Sequence, residues 1–276
     1  MRREGHTTMK IGPQAQRSSA ISASNAETIV VRGRDLCNEL VGSISFTDHI
    51  WLLITGQLPG AAQRRVLDAT LVVIAEHGLV PSVAASRMTL AAAPEALQGA
   101  VAAGILGCGS VILGSADGAA RLYAGILART PGETPEAAAN TVLGEMRAAR
   151  RPVPGYGHPL HKRSDPRVAR LLAVATEAGV AGKHMEIAGV VERLVPGIWG
   201  KPLAMNVSGA IAAVLLDAGY PLLAVKGVPI LARTASLIAH LTEEQQRPIG
   251  FILADSGASA IEYDGQRPDG FAPDEG

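Results

Sequence analysis

The sequence is short of net charge, cysteine, aromatic residues and long apolar runs. Its 25 basic residues balance 25 acidic ones, so no general field holds nucleic acid or an anionic membrane, and any anion site must be local. Only two cysteines occur, Cys37 and Cys108, isolated and at no metal-ligand spacing. No metal site is expected, and two lone thiols without an export signal point to a reducing, cytoplasmic setting. No stretch approaches the roughly 20 uninterrupted apolar residues of a membrane helix; "LVVIAEHGLV" is broken by Glu76 and His77. The N-terminal stretch lacks the apolar centre of a secretory signal. Aromatics make up 3% of the 276 residues, yet 47% are hydrophobic and 18% charged, which excludes disorder. A soluble, compact chain is expected, with no nucleic-acid or membrane partner.

What is present reads as mainly α. "DHIWLLITGQL" and "AAQRRVLDATLVVIAEHGL" repeat apolar residues every three or four positions, with Gly56 and Gly78 as stops. "PEALQGAVAAGILGCGSVILG" is small-residue-rich and suits a helix packed on all sides; its Gly107–Gly114 run lacks the trailing Gly-Lys-Ser/Thr of a phosphate loop. "DPRVARLLAVATEAGV" opens with Asp165 as cap and Pro166 in the first turn. "SGAIAAVLLDAGY" and "VPILARTASLIAHLTEEQQ" predict two more helices, whereas "GFILA" and "AIEYDG" predict short strands, as in a hairpin. "ARTPGETPEAAAN" is the clearest polar break, where a second domain could begin.

One loop concentrates chemistry. In "PGYGHPLHKRSDPR" the glycines permit tight backbone and close ligand approach. His158 follows them, and Arg167 lies in the first turn of a capped helix, where free N–H groups favour an anion. A neutral histidine beside such a site can take a hydroxyl proton or donate to a carbonyl. The alternative is a solvated connection.

This loop resembles the citrate synthase superfamily signature G-x-G-H-x-(x)5-D-P-R. Three segments support the likeness in order. "AEHGLVPSVAASR" is similar to A-D-H-G-x-N-A-S, "LAMNVSGAIAAVL" to the N-V-D segment, and "PILARTASLIAH" to P-I-F-A-x-A-R-x-x-G-W-x-A-H. The short length and "VRGRDLCNELVGSISFTDHIWLLITGQLP" resemble the citryl-CoA lyase branch, including the lyase module of ATP citrate lyase. The resemblance implies a citrate-synthase-type fold, mainly α, with a cleft between two helical domains. The large domain would comprise 21–117 and 226–265, the small one 118–225, with a flexible arm over 1–20 and a loose tail over 266–276. It implies that His158 acts on the ketone or tertiary alcohol, and that His77, Arg167 and Arg233 hold carboxylates. Arg247 would reach a neighbouring subunit's site, making a homodimer. Backbone at Pro154, Gly155, Tyr156 and Gly157 would contact the CoA moiety. No permanent cofactor is implied; a CoA thioester and a di- or tricarboxylate would be substrates.

By themselves, His77 also suits a helix C-terminus, Arg233 a structural ion pair, and Arg247, His161, Lys162 and Arg163 a solvated surface. Two departures qualify the resemblance. "GSADGAARL" puts Asp117 where citrate synthases carry an enol-stabilising histidine, and Ser208 replaces the aspartate that moves the acetyl proton. Serine lacks basicity near neutral pH and suits a helix N-cap; Asp117 is the candidate replacement. The leading expectation is a lyase splitting citryl-CoA to acetyl-CoA and oxaloacetate. Citrate synthase activity is the enzymatic alternative, and a non-catalytic CoA- or dicarboxylate-binding protein is the other.

Overall fold

The computed structural model describes residues 18–109, 111, 113, 115–157 and 164–271. His158, with His161, Lys162 and Arg163, lies outside them, as do residues 1–17 of the expected arm and 272–276 of the expected tail. The described chain is mainly α and forms two compact units, Met1–Arg64 and Arg65–Gly276.

The first unit opens with a small antiparallel sheet that the helical periodicity did not announce: β1 (Ser22–Ser24), β2 (Ile29–Val31) and β3 (Arg34–Asp35). Ser22 pairs with Val31, and Val31 with Arg34. Between β2 and β3 the chain reverses in two residues, Arg32 at φ 50° and Gly33 at φ 81°, the left-handed pair that a tight hairpin requires. Strands this short bury little and leave no clear alternation, so the pattern was silent. Asp35 then caps a π-helical turn, Leu36–Leu40, and Ser45 with Asp48 forms a capping box on α1 (Phe46–Thr55). Val31, Leu40 and Leu52 make the unit's core.

The division between units falls within α2 (Ala61–Ala75). The second unit continues with α3 (Pro81–Ala92), α4 (Leu97–Leu106), α5 (Ser115–Leu127), α6 (Pro135–Ala148), α7 (Pro166–Glu177), α8 (Lys183–Trp199), α9 (Val207–Asp217), α10 (Gly227–Gln246) and α11 (Gly250–Ser259). Helices α3, α4, α10 and α11 pack on one another, and α5 to α9 form a second packed group. At Gly104 a Cβ would lie 2.7 Å from Leu237 Cδ1 and 2.8 Å from the Ser82 carbonyl, so α4 approaches α3 and α10 only through glycine. The small-residue run is not one helix packed on all sides. α4 stops at Leu106, before Gly107 and Gly109, and Leu106 stands exposed.

The expected terminal strands are corrected. "GFILA" begins α11, because Glu244 accepts the backbone N–H groups of Ile249 and Gly250, pinning a helix start where local preference favours strand; "AIEYDG" is helix end and irregular chain. No membrane span is expected from the sequence, yet Leu222–Gln246 has the length and hydropathy of one. It is a packed helix here, with Arg233, Leu237, Leu241 and Glu244 buried.

One buried ion pair joins three helices. Arg87 of α3 donates to Glu244 at 2.6 Å and to Glu243 at 2.8 Å, while Glu244 caps α11. Burial pushes the Glu244 pKa up, but the Arg87 hydrogen bond and the backbone N–H groups outweigh it and hold it below 4.5. A depressed carboxylate stabilises fully above its unfolded value and stops doing so as pH falls through the folded one. Arg87→Met, which strands Glu244, should cost about 3–5 kcal/mol, seen as a lower urea midpoint at pH 7. In the wild type, the Glu244 contribution should begin to fade below pH 4.5.

Candidate active site

The glycine-tyrosine-glycine turn is anchored on both sides. Gly155 and Gly157 adopt φ 84° and 81°, and a Cβ on Gly155 would stand 2.8 Å from the Gly209 backbone. Gly157 N–H donates to Ala204 O at 2.7 Å, Asn206 N–H to Gly155 O at 2.9 Å, and Asn206 Nδ2 to Gly157 O at 2.8 Å. Tyr156 points into the core, where Tyr123 donates to its hydroxyl at 2.9 Å and it donates to Ala188 O at 2.7 Å. Burial pushes both phenols' pKa values up, so they serve as neutral struts. The turn therefore cannot slide, and it delivers the chain at Gly157 to a cavity wall.

Asp165 organises the next element. It caps α7, accepts both Nε and Nη2 of Arg167 at 2.9 and 2.8 Å, and accepts Val207 N–H at 3.1 Å. Burial raises its pKa, but Arg167 and these N–H groups hold it below 3.8. One carboxylate thus fixes the guanidinium and the start of α9 together. At that start Asn206, not Ser208, is the cap: its Oδ1 accepts the N–H groups of Ser208 and Gly209. Ser208 sits in the first turn, buried, with no capping duty.

These pieces enclose a cavity of about 170 Å³. Arg167, Arg233, His77, Ser208 and Gly157 line it together, with Val and Leu between them. Arg233 is 2% exposed, and its Nε and Nη1 have no hydrogen-bond partner among the described residues; Nη2 reaches Ile74 O at 3.5 Å. Burial lowers its pKa; the Glu76 charge opposes that fall and the Arg167 charge adds to it. No carboxylate lines the cavity among the described residues. Two guanidiniums, an imidazole and no acid suit a small molecule with two or more carboxylates, which arginine can grip with paired bonds.

A groove of about 760 Å³ adjoins the cavity, sharing Val111, Ser115, Gly157 and Asn206 with it. Pro154, Gly155, Tyr156 and Gly157 form part of its wall, with Arg121 and Arg151. Asp117, expected in the site, lies elsewhere, and Arg247 was expected at a neighbouring subunit's site. Asp117 pairs with Arg121 at 3.1 Å on α5 and lines neither space. Arg247 ends α10 with its side chain 81% exposed, 3.8 Å from Glu243. Asp217 is structural, accepting the N–H groups of Gly182, His184 and Met185 at the start of α8. Sequence reasoning gave Asp165 only a capping role and missed Glu76; the acid beside each motif residue was the available signal.

Comparison with known proteins identifies the family. The family model for the citrate synthase C-terminal domain matches residues 61–250. The citrate/2-methylcitrate synthase of Bacillus subtilis (strain 168) is 26% identical over 206 residues, covering 73% of this chain and 53% of that protein; the chain spans about half the length of this curated relative. The structure of citryl-CoA lyase from Hydrogenobacter thermophilus is 31% identical, over 93% of this chain and 97% of that one, with a TM-score of 0.80. Methanosaeta concilii ATP citrate lyase in complex with (3S)-citryl-CoA is 24% identical, over 94% of this chain and 43% of that one, with a TM-score of 0.75. This last likeness concerns fold alone.

A ligand bridging the two guanidiniums should stabilise the protein. Oxaloacetate at about 100 times its Kd is expected to add about 2.7 kcal/mol, read as a rise in Tm. Arg233→Met removes an unpaired buried charge, so its ligand-free Tm should equal or exceed the wild type, and oxaloacetate should no longer shift it. A lower ligand-free Tm would instead mark Arg233 as a structural group.

Proposed function

The chain belongs to the citrate synthase family, and from that premise we propose that it is a citryl-CoA lyase, splitting citryl-CoA or a close relative into acetyl-CoA and oxaloacetate. The fold is of the citrate-synthase type. The observation that carries the proposal is the pair of guanidiniums, with His77, around a cavity that no described carboxylate lines, beside the glycine turn. Arg167, Arg233 and His77 would bind the carboxylates of the citryl group. The groove along Pro154–Gly157 would carry the CoA moiety, with Arg121 and Arg151 in its wall. His158, next in sequence to Gly157, would take the proton of the tertiary alcohol.

Loss of that proton lets the alkoxide collapse to the ketone of oxaloacetate. The C–C bond breaks, and its electron pair passes to the thioester as the enolate of acetyl-CoA. Carbon must then be protonated. Ser208 lines the cavity where relatives are expected to carry an aspartate; its hydroxyl can hydrogen-bond to an enolate or relay a proton but cannot act as a base near neutral pH. The same features suit citrate synthase in the opposite direction. The likeness to the Hydrogenobacter enzyme, which spans nearly all of both chains, favours the lyase.

A specific observation supports a second reading. Since no described carboxylate lines the cavity, and Asp117 is engaged by Arg121, the protein could bind CoA and a dicarboxylate without cleaving anything. Two free cysteines support a reducing cytoplasmic setting, and the exposed Arg247 would be free to reach a second copy in a homodimer.

Purified protein given citryl-CoA, with malate dehydrogenase and NADH, should consume NADH as oxaloacetate forms. Absence of turnover together with calorimetric binding of oxaloacetate and CoA would establish the binding-protein reading. Ser208→Asp should raise turnover by at least about 100-fold if general acid–base work is what the serine lacks. An unchanged rate would mean that proton transfer runs through another group.

A further inference from the structure

The turn that carries His77 is held by one carboxylate. Glu76 Oε1 accepts the backbone N–H of His77 at 2.9 Å and also that of Gly78. Its other oxygen meets α10: the Ser236 hydroxyl donates to it, and His240 Nε2 lies 3.0 Å away. Ser236 and His240 follow Arg233 at helical intervals, so all three share one face of α10. Ser236 is buried and Arg233 is buried, while the Glu76 side chain is 52% exposed.

This arrangement is unusual electrostatically. A half-exposed carboxylate sits against the α10 face that carries a buried guanidinium, yet the two form no ion pair. Left untied, Glu76 would gain most by turning onto Arg233, because a charge-assisted pair is strong where water is scarce. It would then occupy the donors that a ligand needs. Four hydrogen bonds instead hold it on the turn.

We propose that Ser236 and His240 are positioning residues that keep Glu76 on the His77 turn and off Arg233, leaving Arg233 Nε and Nη1 open to a substrate carboxylate. The inference rests on the reading of the cavity as a dicarboxylate site. Glu76 lies near Arg233 by geometry, since the Ser236 hydroxyl that donates to it stands one helical turn from Arg233 on α10; its charge also opposes the fall in the Arg233 pKa caused by burial. The tether separates two uses of that charge. It supports the guanidinium's protonation from a distance, and it does not block the guanidinium's donors.

Calorimetry of oxaloacetate binding to the full chain tests this by sign. The double variant Ser236→Ala/His240→Leu should bind about 10-fold more weakly, the scale of one lost charge-assisted hydrogen bond. Adding Glu76→Gln should restore affinity to within about twofold of wild type, because the amide carbonyl still accepts from the turn but carries no charge to compete. His240→Gln, which keeps a donor for Glu76, should bind like wild type. If the double variant does not fold, Ser236→Ala with and without Glu76→Gln gives the same comparison at smaller amplitude. A triple variant as weak as the double, or a double variant that binds normally, overturns the proposal. No binding by the wild type would remove the dicarboxylate reading itself, and this inference with it.

Discussion

Arg233 holds its charge in a wall where 2% of its surface meets solvent and where Nε and Nη1 lack partners among the described residues. A buried charge without a counter-ion is costly, and a second guanidinium, Arg167, lines the same cavity. A fold tolerates such a pair when a ligand completes it. The neighbouring acids leave Arg233 unengaged: Asp165 accepts Nε and Nη2 of Arg167, and Glu76 is fastened to backbone, Ser236 and His240 rather than to Arg233. Each acid beside the site is thereby engaged outside the cavity.

Backbone supplies the rest of the precision. Gly155 and Gly209 touch where any side chain would collide, and the 204–206 segment hydrogen-bonds the turn at Gly155 and Gly157. Asp165 and Asn206 then set the start of α9, so the glycine turn, α7 and α9 are registered to one another by polar contacts instead of by large side chains. This suits a chain with 3% aromatic residues. Further away, the Arg87–Glu244 pair ties α3, α10 and α11, which fixes the helix that presents Arg233.

Much of this was legible in the sequence because it depends on local rules. Helical periodicity, the Asp165–Pro166 cap and the glycines of the turn all encode their own geometry. Motif likeness also placed His77, Arg167 and Arg233 together, and the cavity unites them. The misreadings came from tertiary contacts. "GFILA" is helical because Glu244 reaches it across a turn, and Ser208 is not a cap because Asn206 takes that role two residues earlier. The β1–β3 sheet is too short to leave a pattern. Asp117 was aligned by order along the chain, although its four-residue spacing to Arg121 on one helix already signalled an ion pair. The acids Glu76 and Asp165 were visible as letters; their function lies in which donors they engage, and that is a property of three dimensions.

The most direct measurement is a crystal structure of the protein with oxaloacetate. The account predicts one dicarboxylate in the cavity, with Arg167 and at least one of Arg233 Nε and Nη1 within about 3.2 Å of its oxygens and Glu76 still on its turn. A ligand bound elsewhere, or an Arg233 that remains without an anionic partner while the ligand is bound, would contradict it.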